Sequence, residues 1–417
     1  MNNTGGSFSL RKSAIIIYLP SFLFASAEGA IIPVIPAMSN GMGSTLAVAG
    51  IVASMLTLGI LVGDIPSGWL VSRLGERISM TLAAVVALIG VGISLVARDP
   101  LTLGAGIFVL GLSNAQFALA RHALLTTVVP LAFRARALSL LGGMFRAGAV
   151  VGPLLSAGLI GLSGNPHSAL WLTAVGLAGT VITVYFLPDP AATSDAPKLV
   201  TEPDGRVLTS GEDEVEKETR GLFRTIRTHG SVLARIGFAS TITGAMRSSR
   251  NVLLPLWAVS IGLHDAQTAL IIGLATALDF ALFYSSGIIM DHWGRIWAAV
   301  PTLVVMSASV SVLACTHDLK DATTWFIVCA MVFAVGNSIG SGMMLTLGSD
   351  LAPPSNPAPF LGAFRFMLDA GNAGAPLLVS GLTALAGISL AAGGMGILGF
   401  IGAGMMLRYI PRYLPRR

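Results

Sequence analysis

Seven ionisable side chains lie inside long apolar stretches of this sequence, where a charge is costly to keep. Each such side chain needs water or a partner of opposite charge, so these residues commonly mark proton and ion pathways. A buried carboxylate can take up a proton, and a buried arginine can hold an anion. The seven are Glu28, Arg146, Arg247, Arg250, Asp279, Arg365 and Asp369, with Asp64 and Arg121 nearer the ends of their apolar stretches.

The composition indicates what surrounds these charges. Of 417 residues, 54% are hydrophobic and only 11% are charged, whereas soluble domains carry about 25% charged residues. The basic residues behind the net charge of +5 sit in short loops and at the C-terminus, where membrane topology places them. The sequence therefore predicts a multi-pass α-helical membrane protein whose partners are the bilayer and a small molecule, and no nucleic acid.

Apolar stretches of about 20 residues, long enough to cross a bilayer, recur twelve times. The predicted spans are 14–38, 46–71, 78–97, 101–125, 136–162, 168–187, 231–260, 266–290, 297–315, 323–347, 359–385 and 389–410. For the first stretch, a secretory signal ending near Ala25-Ser26-Ala27 is the alternative, but the apolar character continues to Met38.

The spans divide into two sets of six around a polar insert. We predict an N-terminal bundle over 1–187, a flexible cytoplasmic linker over 188–230 and a C-terminal bundle over 231–417. The loops assigned to the outside hold only Arg98 and Lys320, so both termini are predicted to be cytoplasmic. The predicted location is the inner cell membrane.

The two halves repeat one another. The turn "GWLVSRLGER" begins at Gly68, and "GIIMDHWGRI" begins at Gly287, 219 residues later. "GPLLSAGL" from Gly152 returns as "APLLVSGL" from Ala375, at an offset of 223. Parallel repeats of this kind are typical of secondary transporters that bind their substrate between the halves, near the middle of the bilayer.

On these residues the chain resembles the major facilitator superfamily over all twelve spans. The family signature between spans 2 and 3 has the form G-x-L-x-D-R-x-G-R-[KR]; here Ser72 stands at the Asp and Glu76 at an Arg. The matching residues are Gly68, Leu70, Arg73, Gly75 and Arg77, and in the second copy Gly287, Asp291, Gly294 and Arg295. The resemblance implies two six-helix bundles that act as a monomer, and a cytoplasmic latch at both turns. In the first turn, Asp64 or Glu76 is the candidate to replace the missing acid.

A second motif is similar to the G-x-x-x-G-P sequence of family members that export by antiport. It consists of Gly148, Gly152 and Pro153 in span 5, where small residues allow close helix packing and the proline favours a bend. This resemblance implies the drug/proton antiporter branch. Exporters of that branch often carry an arginine early in span 4, whereas the first arginine of this span is Arg121.

Repeat alignment and helix depth suggest partners for the buried charges. Because span 5 packs against span 8 in the family, we predict an ion pair between Arg146 and Asp279 near the middle of the bilayer. Arg365 and Asp369 are four residues apart on one helix face and are predicted to pair. Glu28 is the first candidate for the carboxylate that meets protons or a cationic substrate. Its distance from Arg250 or Arg247 decides whether it takes up a proton near neutral pH, because a nearby guanidinium favours the charged form; the alternative is a permanent salt bridge at the outer gate.

These residues predict a secondary transporter that exports hydrophobic or amphiphilic molecules in exchange for protons. The first alternative is a transporter of an anionic metabolite, favoured by Arg146, Arg247 and Arg250. The second is a membrane receptor without transport activity.

Enzyme chemistry is not indicated. Gly336-Asn-Ser338-Ile-Gly340 matches G-x-S-x-G but lies inside an apolar helix, where a small-residue packing face is the better interpretation. The sequence contains no Walker A loop, and its histidines have no metal-ligand spacing. We therefore expect no catalytic residues, no metal and no cofactor, with a proton gradient as the energy source.

Overall fold

A computed structural model describes residues 10–129, 131–186, 199–201, 207–209, 230–352 and 358–414. The described part is almost wholly helical. The first half contains α1 (Leu10–Ile31), a 3₁₀ turn (Ile32–Val34), α2 (Ile35–Gly41), α3 (Leu46–Leu74), α4 (Glu76–Val96), α5 (Pro100–Val128), α6 (Leu131–Ser163) and α7 (Ser168–Phe186). The second half contains α8 (Gly230–Val232), a π-helix (Leu233–Gly237), α9 (Phe238–Ser260), α10 (Asp265–Leu282), α11 (Ser285–Trp293), α12 (Arg295–Ala314), α13 (Ala322–Ile339), α14 (Met343–Leu351) and α15 (Ala358–Tyr413).

The twelve predicted spans are confirmed, with boundaries within a few residues. Helix α15 is two spans joined at Ala386 and Gly387, whose backbone leaves the helical region. Ten described segments are long and apolar enough to cross a membrane, and the last of them covers both parts of α15. Helix α9 is outside these ten; it carries Arg247 and Arg250. Spans 8 and 10 are each divided, into α10 with α11 and α13 with α14.

Part of the predicted linker forms a small hairpin. Strands β1 (Leu199–Thr201) and β2 (Val207–Thr209) pair antiparallel, with Leu199 opposite Thr209. The strand residues are mostly aliphatic or β-branched, and the intervening sequence Pro-Asp-Gly is typical of a turn. The rest of the linker lies outside the described residues, so the predicted domain boundaries stay a prediction.

The two halves meet along equivalent helices. Helix α6 packs against α10, and α3 packs against the first part of α15, so spans 5 and 8 meet as expected. Within the first half α1 contacts α6 and α7, while within the second half α9 and α12 contact α15. This arrangement leaves the inner faces of α3, α6, α9 and α10 turned toward the interface between the halves.

The glycines of the predicted G-x-x-x-G-P motif allow α6 to lie directly against α1. A Cβ added at Gly148 would overlap the carbonyl oxygen of Phe22, and one added at Gly152 would overlap that of Ser26. Pro153 lies inside α6, and its ring faces Gly29 of α1. The motif therefore brings two helix backbones together, while the bend expected at Pro153 stays a prediction.

This close approach predicts different effects for two glycines of the same helix. Gly152→Ala should lower stability by roughly 2 kcal/mol, because the new methyl group forces α1 and α6 apart. Gly158→Ala is the matched control, since a Cβ there meets open space, and it should be neutral or slightly stabilising. Thermal unfolding of the two purified variants in the same detergent measures the difference; equal shifts would contradict the packing role.

Candidate functional site

A cavity of about 420 Å³ lies between the two halves. Helices α3 and α6 line it from the first half, and α9, α10, α13 and α15 line it from the second. By the helical rise, Arg146 and Asp279 each lie roughly 20 Å from the start of their own helix, at mid-height in the bundle. Five of the six residues predicted to bind substrate or protons line this cavity: Arg146, Arg247, Arg250, Asp279 and Asp369. Asp64 lines it as well.

One carboxylate in the cavity wall is shared by three guanidinium groups. The Oδ2 atom of Asp279 lies 3.3 Å from Nη1 of Arg250 and accepts a 2.8 Å hydrogen bond from Asn337 Nδ2. Asp279 also interacts electrostatically with Arg146 and Arg247. Within the described ranges, neither of those two arginines forms an ion pair. With all four groups ionised, this cluster carries a net charge of +2.

The two unpaired arginines donate instead to the break between α13 and α14. Arg247 donates to the carbonyl oxygen of Gly340, and Arg146 donates to the hydroxyl of Ser341. The guanidinium of Arg146 also lies 5.2 Å from the ring centroid of Phe283, at the break between α10 and α11. The predicted Arg146–Asp279 pair is therefore wrong. Arg146 bridges the halves through Ser341, and Arg250 occupies the place beside Asp279.

The break in span 10 follows from its backbone. Gly342 has a φ of +77°, a left-handed conformation that favours glycine, and it directly precedes α14. The carbonyl groups freed at the end of α13 accept side-chain donors: Ser286 donates to the carbonyl oxygen of Ser341, as Arg247 does to that of Gly340. Discontinuous helices are typical of transporter binding sites, and α13, which ends at this break, lines the cavity through Asn337.

Glu28 lies outside the cavity wall, between α1 and α5. Its side chain is buried and interacts with the side chain of Asn114 and with the guanidinium of Arg121. Its Oε2 atom has no hydrogen-bond partner in the part of the chain that the structure describes. The neighbouring cation is thus Arg121, and not Arg250 or Arg247, the two that the sequence analysis considered. Arg121 stacks 4.5 Å from the ring centroid of Phe145, which lines the cavity.

A second acidic group lies at the interface between α3 and α15. Arg365 and Asp369 form the predicted pair, with Nε and Oδ2 3.7 Å apart. Asn372 donates a 3.2 Å hydrogen bond to Asp369. Asp64, exposed in α3, interacts electrostatically with Asp369 and Arg365 of the other half. Asp64 therefore interacts with charged groups of the opposite half, first with the carboxylate of Asp369 and then with Arg365. Its role in place of the missing acid at position 72 stays a prediction.

The two repeated turns have the same backbone. Gly75 (φ +77°) ends α3 and begins α4, and Gly294 (φ +90°) ends α11 and begins α12. In the first turn, Arg77 donates to the carbonyl oxygens of Val184 and Tyr185, at the end of α7.

The first residue after each turn begins a span, and its side chain is hydrogen-bonded to a residue near the end of the next span along the chain. Thr127 donates a 2.8 Å hydrogen bond to Glu76, and Arg295 donates a 2.8 Å hydrogen bond to Asp350. Residues 127 and 350 are 223 apart, so the two contacts are equivalent in the repeat, with acid and donor exchanged. Of the remaining predicted latch residues, Arg73 stacks on the ring of Trp69. Gly68, Gly287 and Asp291 lie in the helices that lead into the two turns.

Comparison with known proteins identifies the fold. The sequence profile of the Major Facilitator Superfamily matches residues 17–376. The chain belongs to this superfamily. As a member, it is a secondary transporter of small molecules that uses no cofactor, and it is not an enzyme.

Two curated relatives are similar to the transporter at moderate identity. "Probable anion transporter 6" of Oryza sativa subsp. japonica is 29% identical over 175 residues, 42% of this chain and 40% of the relative. The chain thus matches less than half the length of that relative. The "Galactose-proton symporter" of Escherichia coli K12 is 23% identical over 361 residues, 80% of this chain and 77% of the relative. Neither relative supports the predicted drug/proton antiporter branch.

Solved structures share the fold at low sequence identity. A POT family transporter in complex with a thioalcohol-conjugated peptide superposes with a TM-score of 0.78 at 12% identity, covering 97% of both chains. A D-xylose-proton symporter superposes with a TM-score of 0.73 at 14% identity, covering 98% of this chain and 100% of that one.

Two asparagines of the transporter were missed by the sequence analysis. Asn337 holds Asp279, and Asn114 contacts Glu28, so each stands beside a buried carboxylate. The repeat offset links them, since 337 − 114 = 223, the offset already seen between spans 5 and 11. Asn337 also lies within the G-x-S-x-G stretch, whose Gly336 packs against Met306 as expected of a packing face.

Proposed function

We propose that the protein is a proton-coupled transporter of a small organic anion, which binds in the central cavity between the halves. The observation that carries this proposal is the group of three arginines around the single carboxylate of Asp279. Within this cluster two positive charges are in excess, and Asp369 of the same cavity wall is paired with Arg365. An anion beside the cluster would supply the missing negative charge. The relative described as an anion transporter supports the same class of substrate.

The geometry of the cavity fits a small ligand. Its volume of about 420 Å³ is near the lower end of the range of small-molecule sites, about 300–1,000 Å³. Arg146 reaches it from α6 and Arg247 from α9, so one anion between them contacts both halves. An arginine presents a planar fork of donors that matches a carboxylate or a phosphate. A ligand that joins the halves in this way favours their closure around it.

Glu28 remains the proposed proton carrier. Burial disfavours its charged form, and the guanidinium of Arg121 favours it. Protonation of Glu28 weakens its attraction for Arg121, whose guanidinium rests on Phe145 in the cavity wall. This chain of contacts gives protonation a physical route to the substrate site. The relative described as a proton symporter supports coupling to protons.

The proposal includes the predicted orientation and state. Both termini lie in the cytoplasm of an inner-membrane protein that works as a monomer, and rocking of the halves alternately exposes the cavity. The glycine turns and the two equivalent contacts let each half move as a unit: Glu76–Thr127 holds spans 3 and 4 together, and Arg295–Asp350 holds spans 9 and 10 together.

Export of amphiphilic molecules is the second candidate. Apolar side chains occupy part of the cavity wall, including Phe145 and Phe280 as well as Ile60 and Leu61. Aromatic and aliphatic surface beside Asp64 and Asp369 suits a lipophilic cation.

Transport by purified protein in proteoliposomes separates these functions. Internal pH is followed under an imposed pH gradient while mono- and dicarboxylates, organic phosphates, neutral hexoses and lipophilic cations are added. We expect anions alone to trigger proton movement, and Arg146→Gln to lower anion affinity by roughly 10- to 100-fold, the range for a hydrogen bond to a charged group. Arg98→Gln, in an exposed loop, is the matched control.

Each other outcome decides against the proposal. A response to lipophilic cations alone would establish the second candidate, and a response to hexoses alone would remove the anion as substrate. Internal acidification upon external addition of the anion indicates symport, and alkalinisation indicates antiport.

A further inference from the structure

Three arginines surround the ring of Tyr409, near the end of α15. The guanidinium carbons of Arg235, Arg408 and Arg412 lie 5.7, 6.0 and 5.9 Å from the ring centroid of Tyr409. Arg235 also donates a 2.8 Å hydrogen bond to the hydroxyl of Tyr413. Two separate helical segments thus bring three positive charges to one small surface.

The local backbone contributes to this arrangement. Arg235 lies in the π-helix Leu233–Gly237, which leads into α9. Single turns of π-helix are rare and occur frequently at functional sites. The other two arginines lie in the last turns of α15, where the helix dipole favours positive charge.

The cluster has no negative partner among the residues that the structure describes. None of its arginines forms an ion pair there, and all three are exposed. Stacking on Tyr409 contributes about 0.5–1 kcal/mol at an exposed site, and no acidic side chain of the described residues offsets the mutual repulsion of the arginines. An anion at this surface would neutralise it.

The depth of the cluster matches the headgroup region of a bilayer. The second part of α15 covers residues 388–413, about 39 Å at the helical rise. A hydrocarbon core of about 30 Å takes up roughly 20 of these residues. With residue 388 at one edge of the hydrocarbon core, Arg408 lies at the other edge, at the level of the lipid phosphates.

The surface below the arginines is apolar and exposed. Ile397 and Ile401 are 64% and 52% exposed and precede Arg408 on the same face of α15, about three and two turns earlier. Phe238, 48% exposed, follows Arg235 by one turn in α9. A ligand that spans both regions has an anionic head and apolar tails.

We propose that Arg235, Arg408 and Arg412 form a binding site for the headgroup of an anionic phospholipid. The guanidinium groups bind the phosphate oxygens, the hydroxyl of Tyr413 contributes a further hydrogen bond, and the acyl chains lie along Phe238, Ile401 and Ile397. This site is separate from the central cavity and does not depend on the identity of the transported substrate.

Lipid binding to the full-length protein in neutral detergent tests the site. Dissociation constants are measured for phosphatidylglycerol and for phosphatidylcholine with the same acyl chains, in wild type and in Arg408→Gln/Arg412→Gln. We expect phosphatidylglycerol to bind more tightly than phosphatidylcholine, and the double variant to weaken it about 25-fold, at about fivefold for each arginine near a lipid surface. Phosphatidylcholine binding should not change.

The control is Arg98→Gln/Lys320→Gln, which removes the same charge from two exposed loop positions outside the cluster. Equal weakening by the control variant would show a general charge effect and overturn the proposal. So would equal affinity for the two lipids. Displacement of phosphatidylglycerol by an equal concentration of inorganic phosphate would show that the acyl chains do not contribute, and would replace the lipid site with a free-phosphate site.

Discussion

Glu28→Gln is expected to abolish proton-driven accumulation of substrate while leaving exchange of substrate across the membrane intact. The amide has almost the volume of the carboxyl group but cannot exchange a proton, and no second carboxylate lies beside it among the contacts described for Glu28. A gradient of about two pH units is worth about 2.7 kcal/mol per proton, enough for roughly 100-fold accumulation. The variant should lose this factor entirely.

Proteoliposomes with the membrane potential clamped separate the two activities. Accumulation is measured under the pH gradient, and exchange is measured as counterflow with no gradient. Asp321→Asn is the matched control, because its carboxylate is exposed at the start of α13 and makes no capping hydrogen bond. Accumulation by Glu28→Gln with unchanged pH dependence would remove Glu28 as the proton carrier and direct attention to Asp64 and Asp369.

The second large effect concerns the single carboxylate among three arginines. Asp279→Asn should destabilise the protein by about 3 kcal/mol, since it leaves buried guanidinium groups without a counter-charge. Adding Arg250→Gln to Asp279→Asn should restore part of the lost stability, because it removes one of the guanidinium groups that lack a counter-charge. The coupling energy between the two positions should exceed about 1 kcal/mol, as for residues in direct contact.

A second cycle distinguishes the two arginines on either side of the interface. Asp279→Asn combined with Arg146→Gln should show a smaller coupling than Asp279→Asn combined with Arg250→Gln, since Arg146 donates to Ser341 and interacts with Asp279 without forming an ion pair. Both cycles are measured from unfolding in the same detergent, without substrate. Stronger coupling to Arg146 than to Arg250 would contradict the pairing in the structure.

The partners of the buried charges required the tertiary structure. Glu28 and Arg250 are equivalent in the repeat, but their partners are not equivalent: Glu28 interacts with Arg121, and Arg250 forms an ion pair with Asp279. The helical rise gives the depth of a residue in the bundle but not the rotation of its helix about its own axis. A long arginine side chain can also reach partners one or more turns above or below its own Cα atom. The sequence therefore placed Arg146 and Asp279 at the same depth correctly, but assigned them to each other wrongly.

The breaks in spans 8 and 10 were also beyond the sequence analysis. Gly342 marks one of them, but 49 glycines occur in this chain, and many of the described ones pack against a neighbouring helix rather than break their own. Only the packed structure shows which carbonyl groups are freed and that Arg247 binds one of them.

By itself, the sequence determined the twelve helices, their limits and the duplication, because apolar length and repeat spacing are properties of the chain alone. It also determined the two turns, since Gly75 and Gly294 occur at the same place in each copy and both adopt a positive φ. It determined the i,i+4 pair of Arg365 and Asp369, which lies on one helix. The tertiary structure decided which charges meet across helices and which of them face the cavity. These contacts depend on how helices rotate and pack against one another, a choice fixed by the whole core and not by any one segment.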